Sequence, residues 1–175
     1  MKEKRAKGLS LILGMLSTAA LIFLDQWTKV LAVRHLAGQA DRVLIPGILN
    51  LHYLENRGAA FGILQNQQTL FIIITSLFLL IPAVCYVLLP MTRRMLPLRL
   101  IALGILAGGI GNLIDRVRQG FVVDFLETAF MDFPVFNVAD IYVTVSFLLL
   151  IVLILFKYKE DDFEFLSRKR KEKGA

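Results

Sequence analysis

Residues 69–89 read TLFIIITSLFLLIPAVCYVLL, an uninterrupted run without one charged side chain. A helix needs roughly 20 predominantly apolar residues to cross the hydrocarbon of a bilayer, so this stretch is a membrane span. Outward from it the pattern repeats. Residues 96–114 (LPLRLIALGILAGGIGNLI) carry only Arg99, residues 138–156 (VADIYVTVSFLLLIVLILF) only Asp140, and residues 8–24 (GLSLILGMLSTAALIFL) no charge at all. At 57% hydrophobic and 19% charged, with mean hydropathy +0.66, the composition is that of a membrane protein. The expectation is an all-α integral membrane protein in which residues 1–175 form a single polytopic domain. Its four spans cover about 8–24, 69–89, 96–114 and 138–156, with an outer loop at 25–68 and a basic tail at 157–175.

The amino end, MKEKRAK, resembles the basic region of a cleavable signal peptide. Three further spans follow it with no soluble domain between them, so a retained first helix is expected. The single cysteine, Cys85, excludes an internal disulfide.

Cytoplasmic flanks of membrane proteins collect Lys and Arg. Here Lys2, Lys4, Arg5 and Lys7 precede the first span, Arg93, Arg94 and Arg99 follow the second, and seven basic residues lie from Lys157 onward. Both termini are therefore expected in the cytoplasm. The net charge of +6 reflects this bias and the tail SRKRKEK, which suits the anionic inner lipid surface. No aromatic-interleaved basic patch speaks for nucleic acid.

Two connections then face outward. The first contains RVLIPGILNLHYL, β-friendly patches punctuated by Pro46 and Gly47, which predicts a small sheet or hairpin. The stretch AAFGILQNQQ behind it predicts a short amphipathic helix in the interface.

The third span ends at GNLIDR (111–116) and the fourth opens with FNVAD (136–140), so Asn-x-x-Asp occurs twice at the same outer edge. Gly104, Gly108, Gly111 and Asp115 recur at four, three and four residues and share one helix face, a pattern that lets helices approach closely. Asn112 and Asn137 each stand three residues before an acid and would share its face. An ionised Asp at the bilayer midplane costs about 2.5–3.5 kcal/mol, less toward the edge. Either acid alone reads as an interfacial residue or a helix cap. Two at equal depth read as a site.

Two neighbouring carboxylates share a proton over some pH range. The charged member can take a proton from water while the neutral one donates to a carbonyl, which is aspartic-protease chemistry. Competing hydrolase sets are poorly supplied. There is no HExxH or GxSxG, His35 and His52 are isolated, and Ser17, Ser76 and Ser146 have no Lys or His near them in sequence.

With these residues assembled, the chain resembles the lipoprotein signal peptidases, the type II signal peptidases of bacteria. The resemblance rests on LDQWTK, ENRGAAFG, GGIGNLIDR, GFVVDF and FPVFNVAD, five motifs in order over nearly the whole chain. It implies an intramembrane aspartic endopeptidase with four transmembrane helices and a small extracytoplasmic β-rich cradle. Such an enzyme removes the signal peptide from prolipoproteins just before a diacylglyceryl-modified cysteine. By the resemblance Asp115 and Asp140 are the catalytic pair. Asp25 and Lys29 would brace the site, although as a local helix pair they would be worth only about 0.2–0.5 kcal/mol. Asn56 and Gly58 would bind substrate or support the acids, and Asn112 and Asn137 would position both. Arg116 would face the substrate backbone or brace the outer surface, Asp124 would be structural, and Trp27 reads equally as an interfacial anchor.

The expected partners are diacylglyceryl-modified prolipoprotein signal peptides and membrane lipid, with no cofactor, no metal and a monomeric state. The expected location is the bacterial inner (cytoplasmic) membrane, with the active site near its outer face. The alternative is a small proton- or ion-coupled transporter using the acids as a relay. That function favours carboxylates near the midplane and often inverted repeats, neither of which is apparent.

Overall fold

The computed structural model describes residues 2–58 and 67–165. In chain order it contains α1 (Lys2–Leu36), β1 (Arg42–Ile45), β2 (Leu49–Asn56), α2 (Gln68–Leu88), α3 (Leu96–Gln119), β3 (Val122–Thr128) and α4 (Val138–Phe156), followed by a 3₁₀ turn (Glu160–Phe163). Four of these helices are long and apolar enough to cross a membrane. The interfacial helix expected at AAFGILQNQQ and the lipid-facing tail SRKRKEK lie wholly or largely outside the described residues.

α1 is the main departure from expectation. Its apolar run ends near residue 24, yet the helix continues to Leu36, well into the expected outer loop. Thirty-five residues make a helix roughly 50 Å long, against about 30 Å of hydrocarbon. The extension is held by its own stripe. Asp25, Lys29, Ala32 and Leu36 are all buried, and the last two pack with Val123 and Phe125 of β3. The polar residues that end the greasy run are therefore the inward face of a continuing helix. Trp27, on that extension, is exposed, as an interfacial anchor would be.

α3 sits at the centre of the bundle, against each of the other three helices. Its glycines make this possible. A Cβ on Gly108 would collide with the backbone carbonyl of Ala139, and one on Gly111 would lie 2.5 Å from Asp25 Oδ2 and 3.4 Å from Ala139 Cβ. The small-residue stripe thus brings α3 against both α4 and α1. α3 runs beyond Asp115 to Gln119 and stops at Gly120, whose φ of 76° is the left-handed conformation that favours glycine at a helix end.

The three strands form an antiparallel sheet in the order β1-β2-β3. The expected hairpin is β1–β2, turning at Gly47 with φ 71°. β3 falls within the second outer connection and pairs with β2, setting Leu54 opposite Asp124 and Asn56 opposite Val122. That register carries Asp124 to the head of the bundle.

Candidate active site

α4 begins at a polar lock. Asn137 is its N-cap: the side-chain oxygen accepts the Asp140 N–H at 3.0 Å, while Asp140 Oδ2 accepts the Asn137 N–H at 3.1 Å. This reciprocal capping box fixes both side chains before any tertiary contact is counted. Asp140 Oδ1 also accepts from Asn112 Nδ2 of α3 at 2.7 Å.

The Asn137 amide reaches further. Its Nδ2 donates to Asp124 Oδ1 at 2.6 Å and lies 3.1 Å from Asn112 Oδ1. The other oxygen of Asp124 accepts from Asn56 Nδ2 at 2.8 Å, and Asn56 Oδ1 in turn accepts the Gly58 N–H at 3.1 Å. Asn137 is therefore bonded to Asp124 and Asp140 at once. Both acids line one cavity of about 530 Å³, together with Asn56, Gly58, Arg116 and the 133–136 loop. A second cavity of about 240 Å³ reaches Asp140 from beside α2.

Asp124 is 1% exposed. Burial, reinforced by the charge of Asp140, pushes its carboxyl up to about 7 against the pull of the Asn56 and Asn137 amides.

Asp115 stands elsewhere. Its Oδ2 lies 3.0 Å from Lys29 Nζ and accepts the Val123 N–H at 3.2 Å, while Oδ1 accepts from Gln26 Nε2 at 2.9 Å. Lys29 also pairs with Asp25 Oδ2 at 3.0 Å and donates to Asn112 Oδ1 at 2.9 Å. Asp25 Oδ1 accepts the Ala139 N–H at 2.9 Å, which ties α1 to the start of α4. Asp115 borders a separate cavity with Gln26, Lys29 and Arg118, one that Asp140 does not line.

Three readings from sequence change accordingly. The expected Asp115–Asp140 pairing at a common cavity is not found, because both Asp115 oxygens are taken by α1 and by the β3 backbone. Asn112 serves Asp140 and Lys29, not the acid three residues after it. Asp124, expected to be structural, faces the cavity beside Asp140. Asp25 and Lys29 do more than pair locally, and Gln26, which the sequence did not single out, completes their network. Arg116 lies with its guanidinium carbon 5.0 Å from the Phe71 ring centroid and donates to the Gly58 carbonyl at 3.5 Å. Its buried Nε has no hydrogen-bond partner among the described residues.

Four helices long and apolar enough to cross a membrane, with Asp124 of β3 and Asp140 of α4 facing one cavity, define a multi-pass membrane protein. The model of the family described as Signal peptidase (SPase) II matches residues 17–156. The lipoprotein signal peptidase of Streptococcus thermophilus strain CNRZ 1066 is 50% identical over 133 residues, covering 76% of this chain and 86% of the relative. That of Streptococcus pyogenes strain MGAS10270 is 44% identical over 151 residues, covering 86% and 96%. Two solved structures described as a bacterial membrane enzyme, determined by the in meso method at 1.9 and 2.3 Å, superpose with TM-scores of 0.72 and 0.71 at 32% and 31% identity. They cover 83% and 85% of this chain and 94% and 92% of their own. The chain belongs to the signal peptidase II family and is a protease. The transporter alternative finds no support in these relationships.

Proposed function

We propose that the protein removes signal peptides from prolipoproteins as an aspartic endopeptidase whose catalytic pair is Asp124 and Asp140. The observation that carries this reading is their shared cavity, with Asn137 bonded to both. Asp124, whose carboxyl is pushed up to about 7, is the member suited to hold the proton near neutrality. Ionised Asp140 accepts a proton from a water, the water oxygen attacks the scissile carbonyl, and Asp124 donates to the developing oxyanion. Collapse of the tetrahedral species breaks the C–N bond as a proton passes to the leaving amine. No covalent enzyme intermediate forms.

The remaining polar groups position and shield this chemistry. Asn56, Asn112 and Asn137 orient the acids, and Arg116, with Gly58 beside it, offers a guanidinium to an extended substrate backbone. Its place in the lining of the cavity that both acids share supports that role. Asp25, Lys29 and Asp115 hold α1, α3 and α4 in register, and through Lys29 they bear on the Asn112 amide that orients Asp140. In the topology expected from the basic flanks, with both termini cytoplasmic, the site lies near the outer face. A prolipoprotein bearing a diacylglyceryl cysteine reaches it laterally from the bilayer, and the protein acts as a monomer.

Purified protein in liposomes, given a diacylglyceryl-modified prolipoprotein peptide in ¹⁸O-water, tests the reading. Cleavage directly before the modified cysteine is expected, with label in the new carboxylate and full activity in chelator. A trapped acyl-enzyme, or loss of activity on metal removal, would refute it.

A further inference from the structure

An apolar cavity of about 360 Å³ lies between α2, α3 and α4, away from the acids, and is bordered by Phe78, Cys85, Ile105 and Phe147. Phe78 and Ile105 also border the cavity of about 240 Å³ that reaches Asp140. The two adjoin at these side chains and together follow α4 from Asp140 to Ile154, about fourteen helical residues or roughly 21 Å, as a groove with Phe78 and Ile105 at its waist.

The foot of that groove is closed by the chain after α4. Phe163 and Phe165 border the cavity there, and Phe163 packs against Met95, Leu98 and Tyr158. Tyr158 donates to the Arg94 carbonyl at 2.7 Å. Arg94 grips Asp162 through both Nε and Nη2 and donates to the Lys157 carbonyl at 2.9 Å. The hydrogen bond from Arg94 holds the Asp162 carboxyl down to about 2, so the clasp stays ionised at neutral pH.

Length and continuity with the Asp140 cavity select the occupant. A signal peptide carries an apolar stretch of about 7–15 residues behind a basic amino end, which matches the groove. Exposed Glu160 and Asp161 share the foot with exposed Lys157 and Lys159, so charge there favours no occupant. The upper end of the groove opens beside Asp140, where the signal peptide of a bound substrate would end.

We propose that the 158–165 segment is a ruler: Phe163 and Phe165 halt the apolar stretch of the signal peptide and so set the length the enzyme accepts. The inference rests on the proposed peptidase reading and is tested on the full chain in liposomes. Substrates carrying apolar stretches of about 10, 14 and 20 residues are compared. Wild type is expected to cleave the longest at least ~10-fold more slowly than the middle one, and Phe163→Ala/Phe165→Ala to shrink that ratio below ~3. Asp162→Asn, which opens the clasp but keeps both rings, is expected to shift the ratio the same way. An equal ratio in wild type and both variants overturns the ruler.

A second readout needs no hydrolysis. A photoreactive group at the amino end of the middle-length stretch is expected to label residues 158–165 even in Asp124→Asn. Labelling confined to α1 overturns the proposal. Labelling of 158–165 without cleavage in wild type upholds groove occupancy and counts against the peptidase chemistry alone.

Discussion

Asp124 and Asp115 are nine positions apart and have opposite surroundings. Asp115 pairs with the Lys29 cation, whereas the side chains that hydrogen-bond Asp124 are the neutral amides of Asn56 and Asn137. Its carboxyl is raised from 3.8 to about 7: it is neutral below that pH and charged above it. With Asp124 as the proposed acid, kcat/KM is expected to fall as pH rises through about 7, read from a pH–rate profile in liposomes. Between 3.8 and about 7 the folded protein holds a proton that the unfolded chain has lost, so this residue's contribution to stability falls with rising pH across that window. Asp124→Asn is expected to flatten that part of the pH dependence of the melting temperature. Lys29 makes the complementary case. Lys29→Met would leave Asp25 and Asp115 buried without their cation, at a cost of about 3–5 kcal/mol. Thermal unfolding in detergent is expected to show the loss, and Asp25→Asn/Lys29→Met/Asp115→Asn is expected to recover much of it.

At the scale of elements, the contact between α3 and α4 sets the depth of the site. Gly108→Val would drive a side chain into the Ala139 carbonyl, which is backbone and cannot turn away. Overpacking of this kind costs about 1–3 kcal/mol, and it should lower melting temperature and cleavage together. Asn137→Ala removes the cap of α4, worth about 1 kcal/mol, and also one donor to Asp124. Its cleavage rate is expected to fall far more than its melting temperature, which separates the positioning role from the structural one.

The helices also show what the sequence could disclose. α2 and α4 were legible almost to the residue, because an unbroken apolar run states its own limits. The outer half of α1 was not, since Asp25, Gln26 and Lys29 look like a loop until α3 and β3 are there to receive them. The repeated Asn-x-x-Asp correctly marked the region, but local spacing assigns each amide to its nearest acid. Asn112 instead serves an acid 28 residues away, and Asn137 serves one 13 residues away as well as Asp140. Asp124 carries no amide three residues before it, and only the pairing of β3 with β2 brings Asn56 to it.

The whole molecule divides its labour along the bilayer normal. Four crossings would return the chain to the side on which it began, which the basic flanks predict to be the cytoplasm. Cysteine labelling of intact cells should accordingly reach a residue introduced at His52 and miss one introduced at Arg93. The sheet and its underlying acids then occupy one end of the bundle, and the Arg94–Asp162 clasp the other. The most direct measurement is lipidated-peptide cleavage by Asp124→Asn, Asp140→Asn and Asp115→Asn, each assayed at matched folded fraction. Loss beyond about 10³-fold is expected in the first two, with Asp115→Asn keeping a measurable rate. An active Asp124→Asn beside a dead Asp115→Asn would contradict the assignment of the catalytic pair.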